Sequence, residues 1–203
     1  MANVDSLEAL LHEELKDIYD AEKQLTRALP KMIKKASFDQ LRQTLEQHLQ
    51  ETGRQVKRLD QVFEALNLPA RAKKCVGMRN LIAEGDEMIG EAEDEATRDA
   101  VMIAAAQKVE HYEIATYGTL RTWAKRLGHT EAVSLLEETL DEEKAADQKL
   151  TEVAESFVNE AAASQSEEAE ESTERAGRGQ SRSARASTSR AGRAAAADRR
   201  RRK

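Results

Sequence analysis

An all-α architecture built on four long helices is what this sequence predicts, and three observations predict it. Aromatic residues make up only 3% of the 203 residues and only two prolines occur, while Ala, Glu, Leu, Lys and Arg dominate, a composition suited to helices. Apolar residues recur in steps of three and four along four long stretches, and nowhere show the sustained alternation of strands. Two tight turns, near residues 37 and 128, separate the stretches into pairs. Helices joined by so short a turn must lie antiparallel.

The first helix is expected from near Asp5, with Glu8 as its capping-box partner, to near Ala36; Pro30 should kink it without ending it, because the apolar spacing continues. Ser37 and Gln40 form a second capping box that opens the next helix, which runs to about Asn67 before Pro69. A third long helix spans about Glu95 to Leu127, Gly128 closes it, and Thr130 caps a fourth that continues to about Asn159. Between the pairs, residues 67–94 carry their own apolar spacing through Val76, Met78, Leu81, Ile82, Met88 and Ile89, which predicts a short helix. A helix of about 30 residues is about 45 Å long, and a connection of this length can cross it. Two antiparallel hairpins joined by a long crossover make a ferritin-like four-helix bundle.

Charge divides the chain into an acidic body and a basic tail. Residues 1–160 hold 21 Lys and Arg against 32 Asp and Glu, a net of −11; residues 161–174 add −5 and residues 175–203 add +10. Residues 1–160 are therefore read as the bundle. Residues 161–203, low in complexity and first acidic, then Arg-rich, have almost no large apolar side chain and are expected to be disordered. The lone Cys75 cannot form an internal disulfide, no signal-like segment opens the sequence, and no apolar run reaches membrane-spanning length. A soluble cytoplasmic protein is the expectation.

Function is written in the buried stripes, where acids stand in apolar positions. The first helix reads Leu11, Leu15, Ile18, Glu22, Leu25, Leu29, Met32, and the second Leu41, Leu45, His48, Thr52, Val56, Leu59, Val62 with Glu51 beside the seam. The third reads Met102, Ala106, Val109, Glu113, Thr116, Leu120, Trp123, Leu127, with Glu110 one turn before Glu113. The fourth reads Val133, Leu136, Leu140, Glu143, Asp147, Leu150, Ala154, Phe157. Glu22, Glu51, Glu113 and Glu143 each lie about 15 residues from their turn, roughly 22 Å along the helix, and Glu110 and Asp147 lie one turn deeper. A single seam acid is more often salt-bridged or snorkelling, with Arg54 or Lys108 as partners here, and a single seam His48 more often packs. Agreement among four helices favours a shared site.

Carboxylates converging in a core repel one another unless a cation sits among them. Glu22, His48, Glu51, Glu110, Glu113, Glu143 and Asp147 are therefore the candidate metal ligands, and an oxygen-rich set with one imidazole points to iron or manganese, two ions bridged by carboxylates. The Glu-x-x-His pair typical of di-iron bundles is missing, since Arg54 follows Glu51 and Ala146 follows Glu143 at that spacing. His111 points about 100° away from Glu110 on an ideal helix, and His12 and His129 read as exposed. Tyr19 and Tyr117 lie a turn from Glu22 and Glu113, placed to hydrogen-bond a ligand or simply to pack.

Three segments carry a resemblance to a known family: Tyr19-Asp20-Ala21-Glu22-Lys23-Gln24-Leu25, Lys108-Val109-Glu110-His111-Tyr112-Glu113-Ile114-Ala115 with Tyr117-Gly118-Thr119-Leu120, and Glu142-Glu143-Lys144-Ala145. With Cys75-Val76-Gly77-Met78 in the crossover, the chain over residues 5–158 resembles the YciF-type ferritin-like family of bacterial stress proteins. The resemblance implies a four-helix bundle, a dinuclear metal site, a homodimer and a stress-related role. A metal-binding protein redox-active toward dioxygen or peroxide is the leading expectation. A nucleoid-associated protein that uses its basic tail on nucleic acid, with the bundle as scaffold, is the alternative, and the tail's lack of aromatic residues argues against base-specific reading.

Overall fold

A computed structural model describes residues 5–164, and among these it contains helices and no strand. The elements are α1 (Leu7–Lys35), α2 (Asp39–Ala65), α3 (Val76–Glu91), α4 (Glu95–Leu127) and α5 (Thr130–Val153), followed by a π-helical segment, Ala154–Val158. Four long helices pack side by side: α1 touches α2 and α4, and α5 touches the same two, so each has two principal neighbours. The crossover helix α3 lies on α4 and, more lightly, on α1. The acidic and Arg-rich tail falls outside the described residues from 165 onward, although 161–164, expected to be disordered, are helical. No helix among the described residues is long and apolar enough to cross a membrane.

The helix ends follow local chemistry, with corrections to the sequence reading. Ser6, not Asp5, caps α1, its Oγ accepting from Ala9 N at 3.1 Å, and the helix runs through Pro30 without a break. The capping box expected from Ser37 and Gln40 does not form. Phe38 is the N-cap of α2 and makes no side-chain cap bond. Instead a carboxylate from α4 takes over the turn: Asp99, fully buried, accepts from Ser37 N at 3.1 and 2.9 Å and from Phe38 N at 2.7 Å. Asn67 closes α2 with φ of 55°, a left-handed value that Asn tolerates better than most residues. Gly128 ends α4 at φ 86°, with His129 N donating to Ala124 O at 3.0 Å. His129 rather than Thr130 is the N-cap of α5.

The buried stripe of α5 differs from expectation in a way that bears on the site. Ala132, Leu136, Thr139, Leu140, Glu143, Ala146, Leu150 and Val153 face the core, which leaves Asp147 at its edge. Past Val153, the π-helical segment takes more residues per turn than an α-helix and rotates the stripe. Val158 is then fully buried, and Phe157, expected inside, is 52% exposed. The crossover also sorts its apolar residues: Met78 and Ile89 are buried, whereas Val76 is 51% exposed.

Asp99 links one hairpin turn to a different helix through buried, charge-assisted hydrogen bonds. Asp99→Ala leaves two backbone N–H groups short of an acceptor and is expected to cost about 2–3 kcal/mol of stability. Urea unfolding of the two proteins measures it, and a difference below about 0.5 kcal/mol, the ordinary scatter of surface substitutions, would contradict the assignment.

Candidate metal centre

Midway along the bundle, α2, α4 and α5 bring His48, Glu110, Glu113 and Glu143 together, and one ligand atom from each lies within 4.8 Å of the others. All four are buried, with Glu110 and Glu113 each 1% exposed and Glu143 fully enclosed. Helical spacing explains the arrangement. Glu110 and Glu113 sit one turn apart on α4 and share a face, His48 takes a core position between Leu45 and Thr52, and Glu143 lies three residues beyond Leu140.

The group lacks the hydrogen bonds that buried polar atoms normally make. Both carboxylate oxygens of Glu113 and of Glu143, Oε2 of Glu110 and both ring nitrogens of His48 are buried without a hydrogen-bond partner. His48 Nε2 lies 3.2 Å from Glu110 Oε1, a contact distance without hydrogen-bond alignment. Such atoms are rare in native proteins, because each forfeits the solvation it had in water.

Burial dominates the electrostatics of every member. Burial, reinforced by Glu22 and Glu143, holds the Glu113 carboxyl well above the usual range. Burial and the adjacent Glu110 do the same to Glu143. Glu110 is pushed up to about 8 by burial, with the neighbouring Glu143 opposing that shift and Glu22, Asp147 and Glu51 adding repulsion. Burial lowers His48 to about 4, so at neutral pH its imidazole is uncharged and keeps a free lone pair.

Glu22 of α1 stands just outside the four. It is fully buried, and burial with repulsion from Glu143 raises its carboxyl well above the ordinary value. Its Oε1 accepts a 2.5 Å hydrogen bond from Tyr117 Oη, while Oε2 has no partner. Burial and the same carboxylates hold the Tyr117 phenol protonated, so it remains a donor. Tyr19, the other tyrosine considered as a ligand partner, donates instead to Asp60 at 2.5 Å and packs edge-on against Phe63.

Two further sequence candidates lie at the margin. Glu51 is half-buried, accepts from Gln47 at 2.9 Å, pairs with Arg54 at 3.7 Å, and lines a hollow beside His48 and Glu110. Asp147 accepts from Gln107 at 3.1 Å and lies 3.4 Å from the exposed His111. Lys108, a possible partner of the core acids, pairs with Glu84 on α3 instead. His12 and His129, read as exposed, are half-buried and both flank Glu8, at 3.6 and 3.2 Å.

One functional feature escapes sequence reasoning. Arg58, 8% exposed, crosses from α2 to α5 and donates to Glu138 at 2.6 Å, to both oxygens of Glu142 at 2.8 and 2.9 Å, and to Thr139 at 2.8 Å. Gln55 donates to the same Glu142 carboxylate at 3.0 Å. Glu142 precedes Glu143, so this clamp fixes the rotation of α5 at the residue where a site carboxylate leaves it. A polar pair at 55 and 58 on the buried side of α2 is the signal that could have found it.

The family model described as Domain of unknown function (DUF892) matches residues 6–163. Protein YciF of Escherichia coli strain K12 is 50% identical over 165 residues, which is 81% of this chain and 99% of that protein. The crystal structure of the E. coli stress protein YciF superposes with a TM-score of 0.74 at 51% identity, covering 77% of this chain and 99% of that one. A Rhodopseudomonas palustris protein named YcfI gives a TM-score of 0.72 at 48% identity, covering 74% of this chain and 98% of that one. With a family model spanning most of its length and half its residues shared with YciF, the chain belongs to the YciF family of all-helical proteins, the family described as Domain of unknown function (DUF892).

Proposed function

We propose that this chain is a ferritin-like bundle that binds a carboxylate-rich iron or manganese centre, two ions in number, as part of a bacterial stress response. The observation that carries the reading is the cluster of buried carboxylate oxygens and imidazole nitrogens without hydrogen-bond partners. A protein interior seldom leaves so many neighbouring polar atoms without partners unless a ligand satisfies them, and oxygen donors with one imidazole suit hard or borderline cations. The relation to E. coli YciF, described as a stress protein, supports the physiological setting. A cytoplasmic homodimer completes the proposal.

The residues divide the work. Glu113 and Glu143, with both oxygens free of hydrogen-bond partners, would hold the ions together with Glu110 and neutral His48. Glu22 would complete the inner set through Oε2, its orientation held by Tyr117. Glu51 and Asp147, at the margin, would guide cations inward and add negative potential. When bound, the ions would supply Lewis acidity and one-electron chemistry toward dioxygen or peroxide. The surrounding apolar side chains exclude water and strengthen every charge interaction within.

The Arg-rich tail carries a second proposal, that it binds nucleic acid non-specifically, because residues 175–203 hold a net +10 without an aromatic residue. DNA binding is expected to weaken steeply with salt and to vanish on truncation after residue 174. Gel-shift titration at several salt concentrations measures both, and binding that survives truncation would reject the role.

Metal content tests the main reading directly. Protein purified without chelator, or loaded anaerobically with iron(II), is expected to retain about two ions per chain, the stoichiometry of carboxylate-bridged bundle sites. Elemental analysis that finds none after loading overturns the proposal, and Glu113→Ala with Glu143→Ala should abolish retention.

The pH dependence of stability gives an independent check. A carboxyl raised on folding stabilises the fold at low pH and loses that contribution as pH climbs through its folded value, which is about 8 for Glu110. His48, lowered from 6.5 to about 4, works the other way, adding stability as pH rises between those values. Above pH 6.5 only the carboxyl effect remains. The melting temperature of metal-free protein should therefore fall between pH 6.5 and about 9, and bound metal should remove most of that fall. Calorimetry showing no such difference between the two forms would count against the site.

A further inference from the structure

Two hollows flank the carboxylate cluster, and Glu110 lines both. The smaller, about 10 Å³, lies between α2 and α5 and has Gln47, Glu51 and Lys149 among its lining residues. The larger, about 30 Å³, lies between α1, α3 and α4 and is apolar except for Asp86 and Glu110. Met32, Leu81 and Ile82, all half-buried, stand at its outer side, and Leu29, Ala106 and Val109, all buried, line it within. Exposure therefore declines from surface to core along one lining, which ends at a carboxylate that is 1% exposed and has an unpartnered Oε2.

The space results from small residues on all three helices, with Ala28 on α1, Gly85 on α3 and Ala106 on α4 among its walls. Its volume suffices for one or two molecules of water's size, but an apolar lining gives water few hydrogen bonds. Cavities of that kind stay dry and accept apolar guests such as xenon. An ion could not enter without losing its hydration uncompensated.

We propose that this apolar cavity is a binding site for dioxygen, a small uncharged molecule, and that it delivers dioxygen to the carboxylate cluster from the flank between α1, α3 and α4, separate from the hollow lined by Glu51. The delivery role rests on the reading of the cluster as a metal centre; the binding site does not. Size and polarity select the guest: the cavity is too small for a lipid chain and too apolar for an ion.

The experiment uses the full chain with and without metal, and two plugging variants from opposite walls, Ala106→Leu and Ala28→Leu, so that one misfolded variant does not end the test. Crystals of metal-free protein under xenon pressure should show xenon between Val109 and Leu29, and dissolved dioxygen should enhance relaxation of the Val109 methyl signals. Both effects should be lost in a folded plugging variant. A wild-type cavity that takes up neither gas, or a plugged one that retains both, overturns the binding site. In protein loaded with iron(II), plugging should slow oxidation by dioxygen and leave the iron content unchanged. Oxidation at the wild-type rate in the plugged protein, or no oxidation in the wild type, overturns delivery. Failure to retain iron overturns the metal reading instead, and the xenon result then stands by itself.

Discussion

Desolvation of four carboxylates is the constraint around which this molecule is organised. Glu22, Glu110, Glu113 and Glu143 are each at most 1% exposed, and burial is the largest cause of the raised carboxyl of each. A charge buried without compensation costs several kcal/mol even after a protein relaxes around it. In the metal-free state these groups meet that cost by holding protons. Binding a cation would exchange the protons for metal, and affinity, proton release and stability would then be linked in one equilibrium.

The scaffold keeps such groups in place with polar contacts set away from the cluster itself. Tyr117 holds Glu22, the Arg58–Glu142 clamp locks α5 against α2, and Asp99 ties α4 to the turn between α1 and α2. Each contact is satisfied with good geometry, while the cluster atoms are not. Elsewhere among the described residues only isolated atoms, Gln55 Oε1, Arg98 Nε and Arg121 Nε, are buried without a partner, whereas in the cluster such atoms gather on neighbouring side chains. Arg58 also stands close enough to Glu22 to favour its ionised form, opposing the effect of burial.

Much of this was legible in the sequence, because helical periodicity and turn spacing are local properties. The long helices, the short crossover helix and the depth of Glu22, Glu113 and Glu143 all follow from counting residues at a fixed rise. What stayed hidden depends on contacts between distant segments. Nothing near Ser37 says that Asp99 will take over its turn, and nothing near Arg58 identifies α5 as its partner. Asp147 illustrates the resolution of the method. Positions three and four beyond Glu143 are equally compatible with one face, and the packing of α5 turned Ala146 inward and left Asp147 at the edge. Phe157 failed for a different reason, since a π-helical turn breaks the regular period on which the expectation rested.

The missing second histidine leaves the charge balance of the site untouched. A buried site is most stable when its net charge is near zero, because any residual charge bears the full desolvation penalty. Four buried carboxylates carry four negative charges, which two divalent cations would cancel with neutral His48 as an uncharged donor. Adding a second imidazole to four carboxylates, as in the two-histidine bundle site, would leave that balance unchanged, because neutral imidazole carries no charge. Further oxidation of the ions would add positive charge, and the half-buried Glu51 and Asp147 lie close enough to Glu110 to raise its carboxyl. Their position at the margin suits groups whose charge is needed only when that of the ions rises. Four carboxylates with one imidazole are thus a balanced composition for two divalent ions, one neutral donor short of the two-histidine site and equal to it in charge.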